Sequence, residues 1–148
     1  MNDRVAEVQK HVEDILASSG IPFSLEDGKV RVERGSSAVF VSALPWKERY
    51  VMIELLSPML HEVPLSDELL RRLNELNESL YFGKLYWSHG DVWLAHYLLG
   101  NHVDTEELLA AVGLMTLVAD HRDDDLHERF GGRRYKEPST AVKATPEV

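Results

Sequence analysis

The side chains of this sequence with the chemistry to bind a metal or move a proton are its seven histidines and twenty-five acidic residues. Their spacing does not assemble them. A metal needs its ligands in one coordination sphere, and acid–base catalysis needs a donor within hydrogen-bond reach of the reacting group. In a hairpin turning at Gly90-Asp91, His96 faces Leu85, four residues along the strand from His89, which is about 13 Å at ~3.3 Å per residue. His121 and His127 are six positions apart, so at ~100° per residue they fall on different sides of a helix, unlike a zinc-binding pair at i, i+4. His121-Arg122-Asp123 repeats three letters of the kinase catalytic loop without a glycine-rich loop or a magnesium-binding partner. The chain has no cysteine, which excludes a thiol nucleophile, a disulfide framework and thiolate metal sites. Neither GxSxG, a P-loop nor GxGxxG occurs. Asp123 and Asp124 read as a solvated helix end. No catalytic residue, no metal site and no cofactor are therefore expected.

The aromatic residues offer binding chemistry instead. Tyr86, Trp93 and Tyr97 share one face of the same hairpin, and Trp46 falls in a predicted strand connection, where large apolar residues are less usual. Trp and Tyr supply much contact area at little cost in side-chain entropy, so binding surfaces favour them. These four are the candidate peptide-binding residues. A protein's own core uses the same side chains, and that alternative stands beside them, as it does for Trp87.

The elements that must position these residues follow from hydrophobic periodicity. Residues 3–18 predict an amphipathic helix with Val5, Val8, Val12, Ile15 and Leu16 on one side. A hairpin at Asp27-Gly28 comes next, with Phe23 opposite Val32 and Leu25 opposite Val30. Strands are predicted over 38–44 and 49–56, rich in β-branched and aromatic residues, then a connector over 57–64 bracketed by Pro58 and Pro64. Ser66 is the expected N-cap of a second helix, with Leu65 and Leu70 spaced for a hydrophobic staple and Leu69, Leu73, Leu76 and Leu80 forming a narrow stripe. Asn74 and Asn77 lie along the edge of that stripe, placed either to cap a neighbouring strand or to act as plain boundary residues. Gly83 lets the helix give way to the second hairpin. That hairpin puts Leu85, Trp87, His89, Val92, Leu94, His96 and Leu98 on one face. Tyr86, Ser88, Trp93, Ala95, Tyr97 and Leu99 take the other. Neither face is polar, so one is expected on the chain's own helices and the other is left for a second subunit or a bound segment. Asp104 and Glu107 form a capping box for a last helix, staple-flanked by Val103 and Leu108 and apolar nearly all round from Leu108 to Ala119. Leu126 and Phe130 would pack as its final turn. The result is an α+β domain over 1–130, an antiparallel sheet flanked by helices in the order α-β-β-β(-β)-α-β-β-α, with a flexible tail over 131–148.

Composition narrows the setting. A hydrophobic share of 44% and a charged share of 28% are ordinary for a globular domain. The formal net charge of −9 argues against a nucleic-acid partner, since the only basic cluster is Arg133, Arg134 and Lys136. The longest nearly apolar run, 108–119, has twelve residues, against the roughly 20 needed to cross a bilayer. The amino terminus mixes charges with apolar residues and does not read as a secretion signal. A cytoplasmic protein without a membrane partner is expected.

The run LNELNESLYFGKLYWSHGDVWL, from Leu73 to Leu94, resembles the YbjN-like family, through Leu73, Asn74, Asn77, Gly83, Gly90, Asp91 and Val92. The order of elements from about Val5 to Phe130 is similar to that of type III secretion chaperones and actinobacterial chaperone-like proteins. The resemblance implies a homodimer that holds an extended segment of a client protein and performs no catalysis. Some YbjN-like proteins are regulators of sensory transduction, so a regulatory or structural homodimer without a client is the alternative.

Overall fold

The computed structural model describes residues 3–135. Helix α1 (Asp3–Ser18) buries Val5, Val8, Val12, Ile15 and Leu16, the stripe its periodicity predicts. Strands β1 (Ser24–Glu26) and β2 (Lys29–Arg34) form the first hairpin, with Leu25 opposite Val30. The next pair, β3 (Ser37–Trp46) and β4 (Tyr50–His61), runs longer than the sequence reading. Trp46 is the last residue of β3 rather than part of a connection, because it pairs with Tyr50 at the hairpin end. Residues 57–61 are strand rather than connector, and the ladder to its neighbour shifts register between Pro58 and Leu60. A bulge there lets the strand continue through a residue that has no N–H to donate.

Helix α2 (Asp67–Ser79) starts where expected, with Ser66 Oγ accepting the Leu69 N–H at 3.1 Å. It buries Leu69, Leu73 and Leu76, whereas the staple pair Leu65 and Leu70 is exposed. Strands β5 (Lys84–Ser88) and β6 (Asp91–Leu99) form the second hairpin, one residue out from the predicted turn. His89 and Gly90 occupy the corner with φ of 50° and 88°, the two successive positive values a type I′ turn requires. Asp91 instead opens β6, where its carboxylate meets His61 Nδ1 at 3.2 Å. Leu85 therefore faces Leu94 rather than His96. Each residue's partner moves by two, an even number, so every strand side chain keeps its predicted face.

Helix α3 (Thr105–Phe130) opens with the predicted capping box between Asp104 and Glu107, and Val103 and Leu108 are both buried. It runs unbroken through its acidic stretch to Phe130. Its inner side, including Leu108, Val112 and Met115, enters the core, while Leu114 and Leu117 are 37% and 49% exposed. Described structure continues past residue 130. Strand β7 (Arg133–Arg134) pairs with Leu60 and His61 of β4, and Tyr135 is buried edge-on to Phe40 at 5.9 Å. Arg133 pairs with Glu62 at 3.0 Å and Arg134 with Asp124 at 2.9 Å. The remainder of the predicted tail, 136–148, lies outside the described residues.

All strand pairings are antiparallel, in the order β1-β2-β3-β4-β6-β5, with β7 on β4. One face of the sheet, including Val30, Val41, Ile53, Leu55, Leu85 and Leu94, joins the buried residues of all three helices in a single cluster. The opposite face has only a small buried cluster of Ala38, Phe40 and Tyr135, and no described helix packs on it. No described helix is long and apolar enough to cross a membrane.

Candidate peptide-binding surface

Strand alternation decides which aromatic residues reach the open face. The register places Tyr86 beside Trp93, Tyr97 beside Glu54, and Trp46 beside Tyr50. All four sequence-predicted residues, Trp46, Tyr86, Trp93 and Tyr97, therefore share the face that no described helix covers. Trp87 points the other way, is partly buried against the core, and donates its indole N–H to Val63 O at 2.8 Å.

Three of the four are gathered at one end. The Lys84 ammonium lies 5.8 Å from the Tyr86 ring and 5.4 Å from the Tyr97 ring, tying the pair through cation–π contact. The Tyr97 hydroxyl donates to Glu54 at 3.3 Å. Burial raises the Tyr97 phenol above its usual range, with smaller contributions from the Glu54 charge, Tyr86 and that hydrogen bond. Burial followed by Glu54 raises Tyr86 in the same way. Both stay neutral donors over the physiological range. Trp93 packs edge-on to His61 at 6.5 Å between ring centres. Trp46 belongs to a separate corner, 5.5 Å from Tyr50. Tyr50 and Glu54 are four residues apart on β4, so that corner lies about 13 Å along the strand from the Tyr97 position at ~3.3 Å per residue. Leu99, 60% exposed, and Met52, its partner across β4 and β6, lie between the two groups. Alternation already placed Leu99 on this face, and selection of aromatic residues alone passed over it.

The asparagines separate cleanly. Asn77 Nδ2 donates to Leu85 O at 3.0 Å, and its Oδ1 accepts the Leu85 N–H at 2.7 Å. One side-chain amide thus stands in for a neighbouring strand at the outer edge of β5, the strand-capping role rather than the plain one. Asn74 is exposed. Gly83, φ 87°, follows α2 as expected, and its N–H donates to His96 Nδ1 at 3.2 Å.

Among the described residues, His11 meets Val103 O, His61 meets Asp91, His89 meets Ser88, and His96 meets Gly83. No described group of three His, Cys, Asp or Glu side chains is placed to hold a metal ion. The reading of Asp123 as part of a solvated helix end is corrected. It is 2% exposed and accepts a hydrogen bond from Ser36 Oγ, while Asp120 accepts the Ser36 N–H at 3.3 Å. Burial, despite the opposing Ser36 bond, raises the Asp123 carboxyl above the ordinary range. The close approach also explains Gly35, whose Cβ position would lie 2.2 Å from Asp120 Oδ1. These contacts pin α3 to the β2–β3 turn, a tertiary meeting that no local spacing announces.

Comparison with known proteins gives this surface a context. A crystal structure of the ExsC–ExsE complex matches with a TM-score of 0.61 and 17% identity, over 84% of this chain and 96% of that one. A crystal structure of YbjN from E. coli, described as a putative transcription regulator, matches with a TM-score of 0.53 and 13% identity, over 82% and 93%. No curated protein matches the sequence. The family model TY-Chap1, described as T3SS (YopN, CesT) and YbjN peptide-binding chaperone 1, matches residues 6–138, and the chain belongs to that family.

Proposed function

We propose that this protein is a non-enzymatic chaperone-like protein that holds an extended client segment on the open face of its sheet. The observation that carries the reading is the placement of Trp46, Tyr86, Trp93 and Tyr97 on the one sheet face that no described helix covers. Tyr86, Trp93 and Tyr97 bury the client's apolar side chains at one end, Leu99 and Met52 continue the apolar track, and Trp46 with Tyr50 receives the far end. Family membership and the likeness to the ExsC–ExsE complex support a peptide partner. The protein acts as a homodimer in the cytoplasm, without cofactor, nucleic acid or membrane partner.

A regulatory or structural homodimer without a client is the second reading, favoured by the exposed Leu65, Leu70 and Leu117 away from the open face. The double substitution Trp93→Ala with Tyr97→Ala separates the two. Affinity capture from the protein's own cells, with mass spectrometry and sedimentation velocity on both forms, is the measurement. Companions bound by the wild type and lost by a still-dimeric variant support client holding. Loss of the dimer assigns the face to self-association.

A further inference from the structure

β6 feeds two surfaces. Tyr97 and Leu99 face the open side, and His96 and Leu98 point to the other. There, Phe82, His96, Leu98, Ala110 and Leu114 line a groove of about 390 Å³ between β6 and α3. The first turn of α3 and its cap add Asp104, Glu106 and Glu107 to the lining, with one carboxylate oxygen each of Asp104 and Glu107 held in the capping box.

The main chain beside this groove is open. β5 pairs with β6 only from Asp91 to Ala95. With Ser88 and Asp91 closing the turn, Trp93 and Ala95 direct their peptide groups toward β5, and the same alternation directs those of Tyr97 and Leu99 to the same side. The Gly100 N–H, one residue on, donates to Val51 O on the β4 side at 2.7 Å, as that alternation requires. No described strand occupies the lane beyond Lys84. His96 adds one directional group. Because Nδ1 accepts the Gly83 N–H, the ring carries its proton on Nε2, and burial keeps the imidazole neutral by lowering its pKa.

We propose that this groove receives an extended peptide segment that pairs with the free edge of β6 at Tyr97 and Leu99, seats one large apolar side chain against Leu98 and Leu114, and directs an adjoining Lys or Arg to Asp104, Glu106 and Glu107. The inference rests on the protein being a peptide binder, and it does not require the open face to be the binding site. Charge selects the occupant. A second copy docked about a two-fold axis through the groove would bring two sets of three carboxylates together, on a chain of net charge −9. A basic residue meets them with opposite charge.

The test uses the full chain and two fluorescein-labelled heptapeptides, Gly-Ser-Val-Leu-Lys-Ser-Gly and its counterpart with Glu in place of Lys, read by fluorescence anisotropy. The Lys peptide is expected to bind at least about tenfold more tightly, a preference that weakens with salt and reverses in Glu106→Lys. Ala110→Trp, which fills the groove from an exposed helix position, abolishes binding while the melting temperature is kept. Leu25→Ala, exposed at the opposite edge of the sheet, leaves it within about twofold. Equal binding of the two peptides, no binding of either, or binding indifferent to Ala110→Trp overturns the proposal. Conversion of a dimer to a monomer by Ala110→Trp in sedimentation velocity assigns the groove to self-association and overturns it as well. Loss of binding in Trp46→Ala, with binding kept in Ala110→Trp, would leave the proposed function standing, place the peptide on the open face and overturn the groove as its site.

Discussion

Leu94 and Tyr97 sit three residues apart on one strand and belong to two different physical regimes. Leu94 is fully buried beneath the helices, in a face whose aliphatic residues interlock with α1, α2 and α3. Tyr97 is 36% exposed and is held by one hydrogen bond and one cation–π contact with neighbours on its own sheet. The covered face contributes stability through area removed from water, and the open face leaves aromatic and aliphatic area exposed, which is where the proposed client would sit. A sheet that is apolar on both sides thus has one side that joins the core and one that no described helix covers.

The sharpest break of that contrast is Leu94→Ala, which leaves a cavity under the helices and is expected to cost about 2–5 kcal/mol in urea unfolding, without direct effect on the open face. Asn77→Ala comes next. It strips both hydrogen bonds from the Leu85 main chain, with an expected loss of about 1–3 kcal/mol. It also exposes the β5 edge, so concentration-dependent self-association should appear in sedimentation velocity.

A smaller effect separates by pH. The Asp123 carboxyl has a raised folded-state pKa, so the folded state holds its proton more tightly than the unfolded chain. Its stabilising contribution is fully present below the unfolded value of about 3.9 and is lost as pH rises through the folded value. Asp123→Asn should flatten that part of the stability profile, measured as urea midpoints from about pH 4 to pH 7. A variant that retains the wild-type slope would place the titration elsewhere. The smallest effect belongs to the open face, where Tyr97→Ala should cost under about 1 kcal/mol. A larger loss would mean that this face supports the fold rather than a client.

Much of this architecture was legible locally. Ser66 and Asp104 marked helix starts because a cap bonds within its own first turn, and face membership along β5 and β6 survived a misplaced turn because alternation has period two. The chance to recognise all four aromatic residues as one surface was weaker. Trp46 reaches that surface only because β3 continues through it, and it stands apart from the other three. What spacing could not reveal were meetings across the chain: Asn77 with Leu85 around the α2–β5 corner, Ser36 with Asp123, and Tyr135 with Phe40.

The sequence by itself determined the helices, the hairpins and the two-faced apolar character of the second hairpin, since capping, turn chemistry and periodicity act over a few residues. Only the tertiary structure decided which face the helices would cover, that Asp123 would be buried, and that β6 would outrun β5 to leave an open edge beside a groove. Those outcomes depend on how distant segments pack and pair, and no short window of sequence contains both partners.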